Sequence, residues 1–297
     1  MAEPLRADFG IEVTFVPGTP DPARIFRSMT SLIDSFQHFD KDLIQVIDVQ
    51  IDPILLLEDI EAGSLRTWLR NLISTVDDSA LKDGDWKKIV GAYLLRAKYI
   101  LVKRLEGKTE ITNREEIKEI EGDLLRIAQD TDIQRIPSYQ PIPEARIVQA
   151  IASLSSSLRH LTPGDSAKLI TPEGEANFNL SLRVSPDSLY ALIVKESLTN
   201  ESTLILKVKR PDYLGDSMWD FKLGEHPLSA KILDHNWLRR FQERNIDVRP
   251  GDAIRARVHQ TIDYGYAAEV IAEHYEIIEV LGIITLVVQE QRRLLGE

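Results

Sequence analysis

The stretch Leu43–Ile73, LIQVIDVQIDPILLLEDIEAGSLRTWLRNLI, constrains the fold most, because it crowds two apolar runs, a proline and an acidic turn together. Ile44, Val46, Ile47 and Val49 have the β-branched character of a strand, and Pro53 interrupts the run before Ile54–Leu57. Two runs so close together predict an antiparallel pair with its turn at Asp52-Pro53. After Glu58, Asp59 and Glu61, Gly63-Ser64 reads as the turn into a helix. Ser64 can cap it, and Leu65, Trp68, Leu69, Leu72 and Ile73 share one helical face. Ile11–Val16 reads as a first strand, and a helix capped by Asp21 is expected from about Pro22 to Phe39. The first 75 residues therefore read β-α-β-β-α, an α+β layer.

Downstream, Asp85 caps a helix from Trp86 to Leu105 that Gly107 closes, and Thr112-Asn113-Arg114-Glu115 has capping-box spacing for a helix to about Gln129. Pro137, Pro141 and Pro143 fall in a stretch of little periodicity, which places a boundary there. The reading is an α+β domain over 1–136 and a mostly β domain over 137–297, with a helix over 144–161 as connector. From Ser166 the chain turns to short β runs, about eight, with one helix over 236–243. Regular short strands with one helix predict a small antiparallel β-barrel or sandwich.

Composition narrows the functional classes. The chain has 297 residues, a net charge of −11 and no cysteine. Lack of cysteine excludes disulfides, thiolate metal sites and a cysteine nucleophile. No apolar run approaches the roughly 20 residues of a membrane helix, and MAEPLRADFG has no secretory pattern, so a cytoplasmic location is expected. The acidic balance argues against bulk nucleic-acid binding. Residues 207–257 run the other way, with eleven basic and eight acidic side chains.

Several motifs invite a chemical reading. Pro211-Asp212 followed by Asp220-Phe221-Lys222 resembles the nuclease pattern Pro-Asp, spacer, Asp/Glu-x-Lys. In that chemistry two carboxylates hold Mg²⁺ and the lysine polarises the attacking water. The spacer is short, and a solvated strand face explains the same residues. Gly215-Asp216-Ser217-Met218 resembles the nucleophile turn of one class of serine esterases, but no Asp-x-x-His follows to supply a base. Glu58, Asp59 and Glu61, and separately Asp77, Asp78, Asp83 and Asp85, could supply oxygen ligands to a cation; the second group fails the calcium-loop spacing. Both read more simply as helix-capping charge, so no metal is assigned. The six histidines lack metal-ligand spacing, and phosphate-loop and dinucleotide signatures are missing. Lys209, Arg210, Arg239, Arg240, Arg255 and Arg257 could form a basic face, with Trp219, Trp237 and Tyr213 for base stacking.

The sequence thus reads as a non-enzymatic cytoplasmic binding protein, a component of a larger assembly with a protein partner and no cofactor. Homo-oligomerisation is compatible with this reading. The alternatives are a Mg²⁺-dependent nuclease built on Asp212, Asp220 and Lys222, and a nucleic-acid-binding β-barrel.

Overall fold

The computed structural model describes residues 7–18, 21–47, 51–61, 65–75, 86–133 and 139–285. The chain divides into two compact units, 1–193 and 194–297.

The first unit is built on β1 (Phe9–Thr14) and runs through α1 (Ala23–Gln45), β2 (Ile51–Glu61), β3 (Leu65–Thr75), α2 (Trp86–Leu105), α3 (Arg114–Asp130) and α4 (Glu144–Ser157). A single 3-10 turn (Leu158–His160) leads to β4 (Ser166–Thr171), β5 (Gly174–Asn177) and α5 (Pro186–Ile193). The sheet order is β2-β3-β1-β4-β5, antiparallel throughout, so the first strand in the chain is the central one. Phe9, Ile11 and Val13 are buried, and Phe9 meets Phe36 of α1 edge-on at 6.0 Å.

The α+β layer stands, but over the first 75 residues the order is β-α-β-β rather than β-α-β-β-α, and the residues differ from expectation. Ile44, expected in a strand, lies in the last turn of α1 with Val46 at its C-cap, and Pro53, expected at a turn, sits inside β2 opposite Ile73. An edge strand tolerates a proline because its outward N–H has no ladder partner to lose. Leu65–Ile73 is not a helix but β3, a strand with a neighbour on each side. Thr67, Trp68 and Leu69 are all buried, and a strand covered on both faces loses the alternation that would reveal it. Trp68 lies opposite Gly10, where a β-carbon would come within 3.0 Å of the indole. Asp21 does not cap α1: the position before the helix is Pro22, and Asp21 pairs with Arg27 instead. Ser64 lies outside the described residues. At α3 the cap is Asn113, which accepts from Glu116 N at 3.1 Å while Glu116 accepts from Thr112 N at 3.0 Å. That is the capping-box exchange, one residue later than its sequence signal.

The sequence places the domain boundary at 136/137, whereas the compact units meet at Ile193/Val194. The reason is a non-local pairing: Ile11 of β1 stands opposite Leu169 of β4, which draws the 166–177 hairpin into the first sheet. Helix α4 belongs to this unit too, ending at Ser157 rather than 161. Ser28 Oγ donates to Ser157 O at 2.8 Å, and the hydroxyls of Ser35 and Ser153 lie 2.6 Å apart, which draws α1 and α4 together. Asp165 fastens the next turn. Burial alone would raise its pKa, but the Arg24 guanidinium, the Thr162 amide and hydroxyl and the Val16 amide hold it at about 2.

A buried ion pair joins α1, α2 and β3. Lys98 and Asp40 are each at most 1 % exposed and in direct contact. Lys98 Nζ also donates to Asn71 Oδ1 at 3.3 Å and stands 5.2 Å from the centre of the Phe9 ring. Burial raises the Asp40 pKa to about 6 despite the lysine, and burial lowers that of Lys98.

The second unit is a closed barrel of β6 (Glu196–Arg210), β7 (Trp219–Leu223), β8 (His226–Ile232), β9 (Ala253–Tyr264) and β10 (Val270–Ile284), with α6 (His235–Gln242) between β8 and β9. Five strands replace the eight expected runs, because two runs belong to the first unit and the last two merge into β10. The pairings are antiparallel except β8 with β10, where Ala230 faces Tyr275 and Ile232 faces Ile277 in parallel. Trp219, Phe221, Ile254, Val258 and Ile277 fill the interior. Helix α6 packs Trp237, Leu238 and Phe241 onto it, with the Trp219 and Phe241 rings 4.8 Å apart. Asp234 caps α6 through Trp237 N at 3.0 Å and accepts from Val280 N of β10 at 3.2 Å. Among the described residues, no helix is long and apolar enough to cross a membrane.

Two outcomes are expected. Lys98→Met should destabilise by about 3–5 kcal/mol at pH 8, because it strands a buried carboxylate. A carboxyl whose folded pKa exceeds its unfolded value binds its proton more tightly when folded. The variant should therefore lose about 1.4 kcal/mol of stability per pH unit once pH exceeds the unfolded value near 3.9, and the loss continues until the raised folded pKa is passed. Urea titrations at pH 5 and pH 8 read this; an equal loss at both would refute it. Adding Asp40→Leu should recover most of the loss. Secondly, residues 194–297 alone should unfold cooperatively by tryptophan fluorescence, since both tryptophans of that unit lie in its core.

Candidate functional site: the outer face of the barrel and the 211–218 loop

The residues of the nuclease-like motif, Asp212, Asp220 and Lys222, lie on the outside of the second unit. Along β7, Trp219 and Phe221 point into the barrel, while Asp220 and Lys222 occupy its outer face, as alternation requires. Register places Asp220 opposite Arg210 on one side and Ser229 on the other. Asp220 accepts from both, with Arg210 Nη2 at 2.9 Å and Ser229 Oγ at 3.0 Å. Lys222 approaches Glu225 at 3.5 Å.

Asp212 is employed differently. Its carboxylate accepts from Leu214 N and Gly215 N at 3.0 Å each, from Ser217 N at 3.1 Å and from Ser217 Oγ at 2.5 Å. The Ser217 hydroxyl above all, with those three amides, holds its pKa at about 2. Asp220 and Lys222 share a strand face, while Asp212 is turned into its own loop. Ser217, the serine of the esterase-like turn, is the donor in this arrangement.

The other sequence candidates separate. Arg255 and Arg257 lie on the outer face of β9, where Arg257 is bracketed by Glu201 at 3.2 Å and Glu279 at 3.0 Å. Arg239 and Arg240 occupy the exposed last turn of α6, a position that favours positive charge. Lys209 is exposed near the end of β6. Trp219 and Trp237, expected to be available for stacking, are core residues at 1 % and 8 % exposure. Tyr213 stacks on Phe241 at 5.1 Å. In the first unit Glu58 bonds Arg70 at 2.6 Å, and Glu61 accepts from the Trp68 indole at 2.8 Å. Asp77, Asp78, Asp83 and Asp85 lie outside the described residues. Among the described residues, no three His, Asp or Glu are placed to hold a metal ion.

The loop itself is the feature that sequence reasoning passed over. Besides the four bonds to Asp212, Gly215 O accepts from Gln242 Nε2 of α6 at 2.7 Å. On this braced backbone Leu214 is 97 % exposed, and Tyr213 and Met218 are about half exposed. A leucine held almost wholly in water at the tip of an ordered turn gains nothing for folding. Its sequence signal was the pair Tyr213-Leu214 directly after a turn-forming Asp, masked by the acidic motif around it.

The connectivity bears on this loop. Numbering the barrel strands one to five, the order is 1-2-3-5-4 closing on 1, with a parallel third-to-fifth pairing and a helix between the third and fourth. The loop 211–218 joins the first and second strands of this closed barrel. A fold alone does not name a ligand. Compared with protein-family models, curated proteins and solved structures, the chain matches none.

If Asp212 braces the loop, Asp212→Ala should accelerate hydrogen exchange of the Leu214, Gly215 and Ser217 amides at least tenfold while the barrel amides stay protected. A depressed carboxyl contributes above its unfolded pKa and is lost as pH falls through about 2. Protection of these amides in the parent protein should therefore persist to about pH 3.

Proposed function

We propose that this chain is a non-enzymatic cytoplasmic binding protein, a component of an assembly, that docks on a protein partner through the 211–218 loop of its barrel. The observation that carries the reading is the braced apolar tip, with Leu214 97 % exposed on a turn held by Asp212 and Gln242. An apolar side chain presented on an ordered backbone loses little conformational entropy on binding, which is how pre-organisation raises affinity. A leucine with a tyrosine and a methionine beside it forms a small anchor suited to a pocket in a partner. Two charged pairs at the loop are already engaged: Arg210 with Asp220, and Lys231 with Asp216 at 3.5 Å. Paired charges at a rim set orientation and encounter more than affinity.

A photo-crosslinking amino acid at position 214, in the full chain expressed in its native host, should give one discrete protein adduct. The same group at Asn200 should not, and Met218→Asp should abolish the adduct. Asp220→Ala with Lys222→Ala should leave it unchanged. Mg²⁺-dependent cleavage of DNA or RNA by the parent protein but not by that double variant, with both folded, would replace this reading with the nuclease. Failure of position 214 to crosslink any protein would remove the docking reading.

A further inference from the structure

We infer that the first unit holds a second, independent binding site: a pocket for a small organic anion with an apolar body, clasped by Arg159 and Arg183. A cavity of about 410 Å³ opens between the 3-10 turn after α4 and the segment 179–184. That size suits a small ligand. Leu158, Leu161, Leu182 and Val184 give it apolar walls, and Thr162 and Ser181 supply hydroxyls. A much smaller apolar recess, lined by Val102, Leu105 and Phe178, shares Leu158 and Leu182 with the cavity.

The two arginines set the sign of the ligand. Arg159 Nη2 donates to Val184 O at 3.4 Å and Arg183 Nη1 to Leu180 O at 3.4 Å, long bonds to neutral carbonyls. Each guanidinium carries five N–H donors, so most remain available. Among the described residues no carboxylate lines the cavity. Elsewhere in this unit Arg24, Arg66, Arg104 and Arg114 are each matched to a carboxylate. In a chain of net charge −11, two arginines on one cavity without an acid mark an anion site. Guanidinium forks suit a phosphate or a carboxylate, and the apolar walls require a hydrophobic body behind it.

The walls are rigid before any ligand arrives. Asn179 Nδ2 donates to Leu105 O at 2.7 Å and its Oδ1 accepts from Ser181 N at 3.0 Å; Arg183 N donates to Thr109 O at 2.8 Å. These bonds pin the 179–184 segment to the end of α2, so little ordering cost opposes binding.

Calorimetric titration of the full chain with 1-naphthyl phosphate, 1-naphthoate, neutral 1-naphthol and inorganic phosphate tests the site. Both naphthyl anions should bind saturably, and naphthol and inorganic phosphate at least tenfold more weakly. Arg159→Gln with Arg183→Gln should weaken the anions at least tenfold and leave naphthol unchanged. Ser181→Trp, at the exposed mouth, should block all of them, with folding of each variant verified by circular dichroism. The assignment is overturned if folded parent protein binds neither anion, if naphthol binds as tightly as they do, or if the double variant keeps their affinity.

Discussion

The contact between Lys98 and Asp40 is the constraint on which the first unit depends. A lysine and an aspartate with essentially no solvent exposure are tolerable only together, because their attraction offsets part of the desolvation penalty each would otherwise bear alone. The pair allows α1 and α2 to lie on the sheet only where Nζ reaches Asp40, Asn71 and the face of Phe9. The same α1 then carries Arg24 to Asp165 and Ser28 and Ser35 to α4, so an error in its placement would propagate to the sheet and to the helix behind it.

The barrel solves a different problem. Its core is a cluster of aromatic rings, Trp219, Phe221, Trp237 and Phe241, and α6 is fastened to it by a capping carboxylate shared between the helix and β10. One end of α6 then braces the 211–218 loop through Gln242, and its Phe241 supports Tyr213. Rigidity passes from the core to the loop tip through two contacts, which is why an exposed leucine can be held in one place. The acidic residues that resembled a metal site are the means of holding it. Asp212 satisfies backbone amides, and Asp220 ties β7 to both neighbours.

Local sequence determined a good deal. The period of Trp86–Leu105 marked α2 to the residue, and the capping signal at Thr112–Glu115 marked the start of α3 within one position. The alternation of Ile254, Ala256 and Val258 against Arg255, Arg257 and His259 marked both faces of β9, and the α+β class and the barrel followed from the order of such patterns. These features are legible because the interactions that cause them lie within a few residues of one another. Asp220 and Lys222 were placed on one outer face by the same logic.

What only the tertiary structure decided lies at long sequence separation. Leu65–Ile73 fits a helical stripe as well as a strand buried on both faces, and β1, pairing on one side of it, chose the strand. Ile11 opposite Leu169 set the extent of the first unit, and no linker composition could report a pairing across so many residues. Trp219 and Trp237 were aromatic in the sequence, but barrel closure and the packing of α6 onto the barrel decided that they lie in the core. Arg159 and Arg183 stand on different segments with no shared motif, and only the tertiary placement of 179–184, tied to the end of α2, brings them to one cavity. Periodicity records which side of an element is buried; it does not record what that side is buried against.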